Sequence, residues 1–133
     1  MIEIKPNTNK PDIAAYCRKC AKPYSEALYL YTAEDRGEIL AAALFEMQSD
    51  SVTAVLYDCG TPGDHLLFDG ILRAALNYAA GQGIETGVIP ESFRRDNAAY
   101  FAKLSYPPQP RWNIVNFFGK YKSKGASPSC LQT

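Results

Sequence analysis

Hydrophobic and polar positions alternate over residues 2–5, where Ile2 and Ile4 flank Glu3, and Pro6 with Asn7 ends the run. Period two predicts a short strand. Asn9 is placed to cap a helix with Lys10 and Pro11 in its first turn, and Ile13, Tyr16, Cys17 and Cys20 then fall at i, i+3, i+4 and i+7, one apolar stripe ending near Pro23. Three β-rich runs follow at 27–32, 39–47 and 52–57, separated by Glu34-Asp35-Arg36-Gly37 and Gln48-Ser49-Asp50-Ser51. Short polar separators imply hairpins, so the three runs predict an antiparallel meander. The middle run, Ala41-Ala42-Ala43-Leu44, is small and apolar on both faces, which predicts a close-packed neighbour.

From residue 62 to about 82 a helical pattern is apolar at Leu66, Leu67, Ile71, Leu72, Ala75, Leu76 and Ala79, with His65, Asp69, Arg73 and Asn77 as a narrow polar stripe. A helix with so wide an apolar face is mostly buried. Gly81 and Gly83 stop it, and a strand over 84–89 completes a parallel crossover from the third meander strand. A second helix is expected over 97–104. Pro107-Pro108-Gln109-Pro110 then forces an extended stretch, and 112–118 is an apolar element whose pattern fits a strand or a short helix. The chain therefore divides into one domain over 1–119 and a polar tail over 120–133.

Composition narrows the function classes. With 133 residues, 47% of them hydrophobic and 21% charged, one self-sufficient core is expected. Fourteen basic and fourteen acidic side chains cancel. Without a broad positive field, neither nucleic acid nor an anionic membrane is an expected partner. The start, Met-Ile-Glu-Ile-Lys-Pro, has no basic region followed by an apolar run, so a cytoplasmic protein is expected. Oligomeric state is left open.

The order of strand, helix, three-strand meander, long helix, strand, shorter helix and final element resembles the GNAT family of acyl-CoA-dependent N-acyltransferases over residues 2–118. Two segments carry the likeness. Leu72-Arg-Ala-Ala-Leu-Asn-Tyr-Ala-Ala-Gly-Gln-Gly-Ile84 looks like the back half of that family's cofactor-binding helix, and Asn97-Ala-Ala-Tyr-Phe-Ala-Lys-Leu-Ser-Tyr106 looks like its later helix. The resemblance implies an α/β (α+β) fold with a mixed central sheet, an antiparallel meander and a parallel crossover. It also implies acetyl-CoA or CoA as cofactor and a small-molecule or peptide amine as acceptor. By family position, Leu56 and Tyr57 would hold the pantetheine arm, and Asp64, Asn97 and Phe101 would border the cofactor.

Two departures bear on that implication. The family carries a Gln/Arg-x-x-Gly-x-Gly/Ala turn before the long helix, where glycines let backbone N–H groups reach a pyrophosphate at the positive helix end. Counting back from Gly83-Ile84 without a gap, those positions fall on Gly63, Asp64, Leu66 and Phe68. Thr61 instead reads as the helix cap, Pro62 as its first residue and Asp64 as a partner for the cap. Asp64 adds negative charge, and Leu66 and Phe68 add bulk, so CoA binding is expected to be weak or absent. On the later helix, Phe101 aligns with the tyrosine that protonates a leaving thiolate in the family. Tyr100 is its neighbour, turned by about 100°.

Each candidate group has a structural competitor. Cys17-Arg-Lys-Cys20 invites a redox or zinc reading, with Cys59 and His65 as distant further ligands, but the pair falls at the end of its helix on the apolar stripe, which predicts core packing. The four cysteines are too few and too irregular for a secreted framework and are expected reduced, with no metal. His65 and Asp58 are candidate general bases, against a surface histidine and a turn with Gly60. Asp69 and Arg73 predict a surface pair. Tyr24, Tyr29, Tyr31, Tyr57 and Trp112 predict half-exposed packing beside a cleft. Two functions follow: acyl transfer with an unusual base at Asp58 or His65 and Tyr100 as acid, or a GNAT-like binding module that has lost the cofactor.

Overall fold

The computed structural model describes residues 2–60 and 63–122. The meander is built from β1 (Ile2–Asn7), β2 (Leu28–Asp35), β3 (Glu38–Met47) and β4 (Ser51–Cys59), with α1 (Lys10–Cys20) between the first two strands. α2 (His65–Gly81) crosses to β5 (Thr86–Val88), then come α3 (Glu91–Asp96), α4 (Ala98–Phe101), β6 (Arg111–Asn113) and α5 (Ile114–Lys122). The six strands lie in chain order, antiparallel throughout except for the parallel β4–β5 pair. The mixed sheet, meander and crossover are those read from the sequence.

Local chemistry explains where element boundaries moved. The β2–β3 strands run closer together than their polar residues suggest, because Arg36 and Gly37 both take positive φ (55° and 83°) and form a two-residue hairpin turn closed by the Asp35–Glu38 pair. Asn9 caps α1 as expected, its Oδ1 accepting from Asp12 N at 2.9 Å. α2 begins at His65 rather than at residue 62, and Asp64, not Thr61, is its cap: the Asp64 carboxylate accepts from Leu67 N at 3.0 Å. Thr61 and Pro62 lie outside the described residues. The unexpected α3 precedes α4, the two joined at buried Asn97, whose Nδ2 donates to Phe93 O. The ambiguous 112–118 element is a strand that becomes a helix at Ile114, and the helix runs through Lys122, past the boundary expected at 119. Residues 123–133 of the expected tail lie outside the described residues.

Period-two alternation divides the core between the two sheet faces. Tyr29, Tyr31, Ala33, Ala41, Ala43, Phe45, Val52 and Ala54 face α2, and Leu28, Leu30 and Leu44 face Ile13 and Cys17 of α1. The small alanines of β3 on the first face let α2 lie close to the sheet. Tyr29 and Tyr31 are buried outright rather than half-exposed, and the Tyr29 hydroxyl donates to Ala75 O at 2.8 Å. No helix among the described residues is long and apolar enough to cross a membrane.

Candidate functional site

β4 organises the site region. Its register against β3 shifts between Leu44 and Phe45, which pair with Leu56 and Ala54 and leave Val55 unopposed. Such a bulge bends a strand and re-aims the side chains beyond it. β4 pairs with β5 only over Ser51–Thr53, so its second half has no β5 partner. Past the bulge, Tyr57 and Cys59 pack toward α2, while Leu56 packs toward α1. Asp58 is an exposed member of the strand, paired with Ala42, rather than part of a turn with Gly60.

The α2 side of this opening is filled with aromatic rings. Phe68, 1% exposed, stacks on Tyr100 at 4.7 Å and meets Tyr57 and Phe101 edge-on at 4.8 and 5.3 Å. Leu66 is 71% exposed, so its bulk points to solvent and does not crowd the helix start. The Tyr100 hydroxyl accepts from Gly63 N at 3.2 Å and lies 3.5 Å from Cys59 Sγ, tying α4 to the turn before α2 and to the end of β4. Gly63 holds φ of 100°, which few other residues adopt and which turns its N–H toward that hydroxyl. The contact with the Cys59 thiol and burial push the Tyr100 hydroxyl above its ordinary value, opposed by the Gly63 N–H it accepts, so it is protonated at neutral pH.

Asp58, His65 and Tyr100 are therefore not one constellation. Asp58 projects on the α1 side of the sheet, whereas Tyr100 and the half-buried His65 belong to the α2 side. Of the residues aligned with the cofactor, Tyr57, Asp64 and Phe101 gather on the α2 side, Leu56 is across the sheet, and Asn97 is spent on the α3–α4 junction. Asp69 and Arg73 make more than a surface pair: Arg73 Nε donates to Asp69 at 2.8 Å, Tyr106 donates to the other carboxylate oxygen at 2.7 Å, and the guanidinium covers the Phe118 ring at 5.2 Å. Cys17 is buried in the α1 core, as its stripe requires. Among the described residues, His, Cys, Asp and Glu form no group of three that could hold a metal.

The α1 side is open. α1 is only 11 residues long and covers the middle of β2, β3 and β4 through Ile13 and Cys17. Beyond it lies a groove of about 670 Å³, floored by Leu30, Leu40 and Ala42 and edged by Asp12, Lys19 and Asp58. Tyr16 forms its inner wall. The Tyr16 hydroxyl is buried beside Cys20 and Asp58, close enough for both to act on it but without full hydrogen-bond geometry to either. Burial, with Cys20 and Asp58 adding to it, pushes this hydroxyl far above its ordinary value. Sequence reading placed Tyr16 on the core stripe and overlooked the groove. Asp12, Tyr16 and Lys19 at i, i+4 and i+7 were a legible signal of a polar-edged face, but not of what that face would meet.

No family matches the chain by sequence, and no curated protein matches it. Solved structures do match in fold. A probable acetyltransferase from Staphylococcus epidermidis superposes with a TM-score of 0.56 at 15% identity, covering 77% of this chain and 82% of its own. The ribosomal-protein-S18-alanine N-acetyltransferase of Escherichia coli gives 0.54 at 17% identity, covering 77% and 76%. A GNAT family acetyltransferase from Elizabethkingia anophelis, determined with acetyl-CoA bound, gives 0.55 at 15% identity, covering 77% and 74%. The chain has the GNAT acyl-CoA N-acyltransferase fold, and its structural neighbours are acetyltransferases. Fold alone does not carry their chemistry across.

Proposed function

We propose that this chain is an acetyltransferase-like domain that has given up the CoA pyrophosphate grip and works as a small-ligand binding module, with its ligand in the groove between α1 and the sheet. The observation that carries this reading is the closed start of α2. A pyrophosphate there needs free backbone donors at a positive helix end. Here the Leu67 N–H goes to the Asp64 carboxylate and the Gly63 N–H to Tyr100. Asp64 also places negative charge where phosphate oxygens would sit, so the residues present do not fit the phosphate end of CoA.

Thermal-shift titration with CoA and acetyl-CoA tests it. A ligand that binds only the native state raises the melting point once its concentration passes Kd. The expected result is no shift at millimolar cofactor; a rise that grows with cofactor concentration overturns the reading.

One observation favours acyl transfer from acetyl-CoA to a small-molecule or peptide amine instead. A protonated hydroxyl, that of Tyr100, lies at the far end of β4, beyond its pairing with β5, although the aligned position is Phe101. In that case Tyr100 would give its proton to the leaving thiolate and His65, on the same side, would take one from the amine. Asp58 would take no part, because the sheet separates it from Tyr100.

A further inference from the structure

The groove beneath α1 has the size of a small-molecule site and the usual mixture of an apolar floor with few polar groups. Its charges are unevenly committed. Asp12 accepts from Asn7 Nδ2 at 3.1 Å, and Lys19 lies over the Tyr16 ring at 5.8 Å. Asp58 lies within ion-pair distance of no lysine or arginine among the described residues. An exposed carboxylate at the edge of an apolar groove, with the Tyr16 hydroxyl behind it, is an anchor that attracts a cation and repels an anion. Floor side chains at Leu30, Leu40 and Ala42 leave room for a flat apolar body.

We infer that this groove binds a small organic cation, a guanidinium or ammonium head held by Asp58 and a flat apolar body lying on Leu30, Leu40 and Ala42. The inference rests on the reading that the ligand occupies this groove. It does not depend on whether CoA binds, because the sheet separates Asp58 from Tyr100. A guanidinium suits the site best: its paired N–H groups match a carboxylate, and it keeps its charge at any working pH.

Calorimetric titration of the full chain with benzylguanidine, benzyl alcohol and phenylacetate tests it, since the three probes share a body and differ in head charge. Benzylguanidine should bind saturably, the other two at least about tenfold more weakly, and Asp58→Asn should lower benzylguanidine affinity about tenfold. Asp50→Asn, an equal charge change in the exposed β3–β4 turn, should leave it unchanged. Equal binding of the alcohol, an Asp58→Asn affinity equal to wild type, or no heat at ~10 mM benzylguanidine overturns the inference. If Asp58→Asn melts early, Tyr16→Phe provides the second variant, with a several-fold loss expected and none overturning. Parallel CoA titration separates the two ideas. A CoA shift with intact cation binding defeats only the non-catalytic reading, whereas silence toward both ligand types defeats the cation inference alone.

Discussion

The two faces of one sheet have been finished differently. Toward α2, aromatic rings form two clusters, Tyr29 with Tyr31, Phe45 and Tyr78, and Phe68 with Tyr57 and Phe101 on to Tyr106; the buried Tyr29 hydroxyl finds a carbonyl, and even the α2 start is stitched to Tyr100. Toward α1, a small cluster around Ile13, Cys17 and Leu44 supports one short helix and leaves an open groove. A small domain needs one well-filled core to stay folded, and here the α2 face supplies it. The face that contributes less to stability is the one free to hold something.

The largest expected effect tests that division of labour. Phe68→Ala should cost about 3–5 kcal/mol in urea unfolding, because it empties the centre of the ring cluster, and Ile13→Ala on the other face should cost about 2–4. Equal losses would mean that both faces carry the fold alike.

Alkaline unfolding comes next. Burial comes first among the causes that raise the hydroxyls of Tyr29, Tyr31, Tyr57 and Tyr106 on the α2 face, and of Tyr16 in the groove and Tyr24 beside α1 on the other. In the unfolded chain these groups ionise near the ordinary value of 10.0. Above it the unfolded state holds fewer protons than the native state, so stability is complete below about pH 10 and falls as pH rises further. Urea midpoints measured from about pH 8 to about pH 11 should show this fall, with a shallower slope in Tyr29→Phe. A flat profile would mean that these hydroxyls are open to water.

The smallest effect is the sharpest contrast. Tyr29→Phe removes a buried hydrogen bond to the Ala75 carbonyl, which keeps its helical partner, and should cost about 0.5–1.5 kcal/mol, whereas Tyr16→Phe removes a hydroxyl that makes no full-geometry hydrogen bond and should leave stability unchanged or slightly improved. A Tyr16→Phe loss as large as that of Tyr29→Phe would show that the groove hydroxyl is satisfied after all.

Much of this fold was legible in the chain because it is written in local periodicity. The i, i+3, i+4 stripe from Ile13 to Cys20, the short polar separators of the meander and the Gly81–Gly83 stop each have a nearest-neighbour cause. Errors gathered where distant residues decide. Asp58 looked like a turn residue beside Gly60, yet β3 pairing draws it into β4. The Asp69–Arg73 pair looked solvated until Tyr106 and α5 closed over it. Phe101 aligned with a catalytic tyrosine, but α4 is short and brings Tyr100 to Cys59 and Gly63 instead.

By itself, the sequence determined the succession of strands and helices, the hydrophobic face of each, and the acidic start of α2, since all three depend on residues a few positions apart. Only the tertiary structure decided that the β4 bulge turns both Val55 and Leu56 toward α1 and so sends Tyr57 to the α2 side, that Tyr100 seals the α2 turn, and that Asp58 stands over an open groove. Those outcomes depend on register between strands and on how far a helix reaches across a sheet, which are properties of packing and not of any one segment.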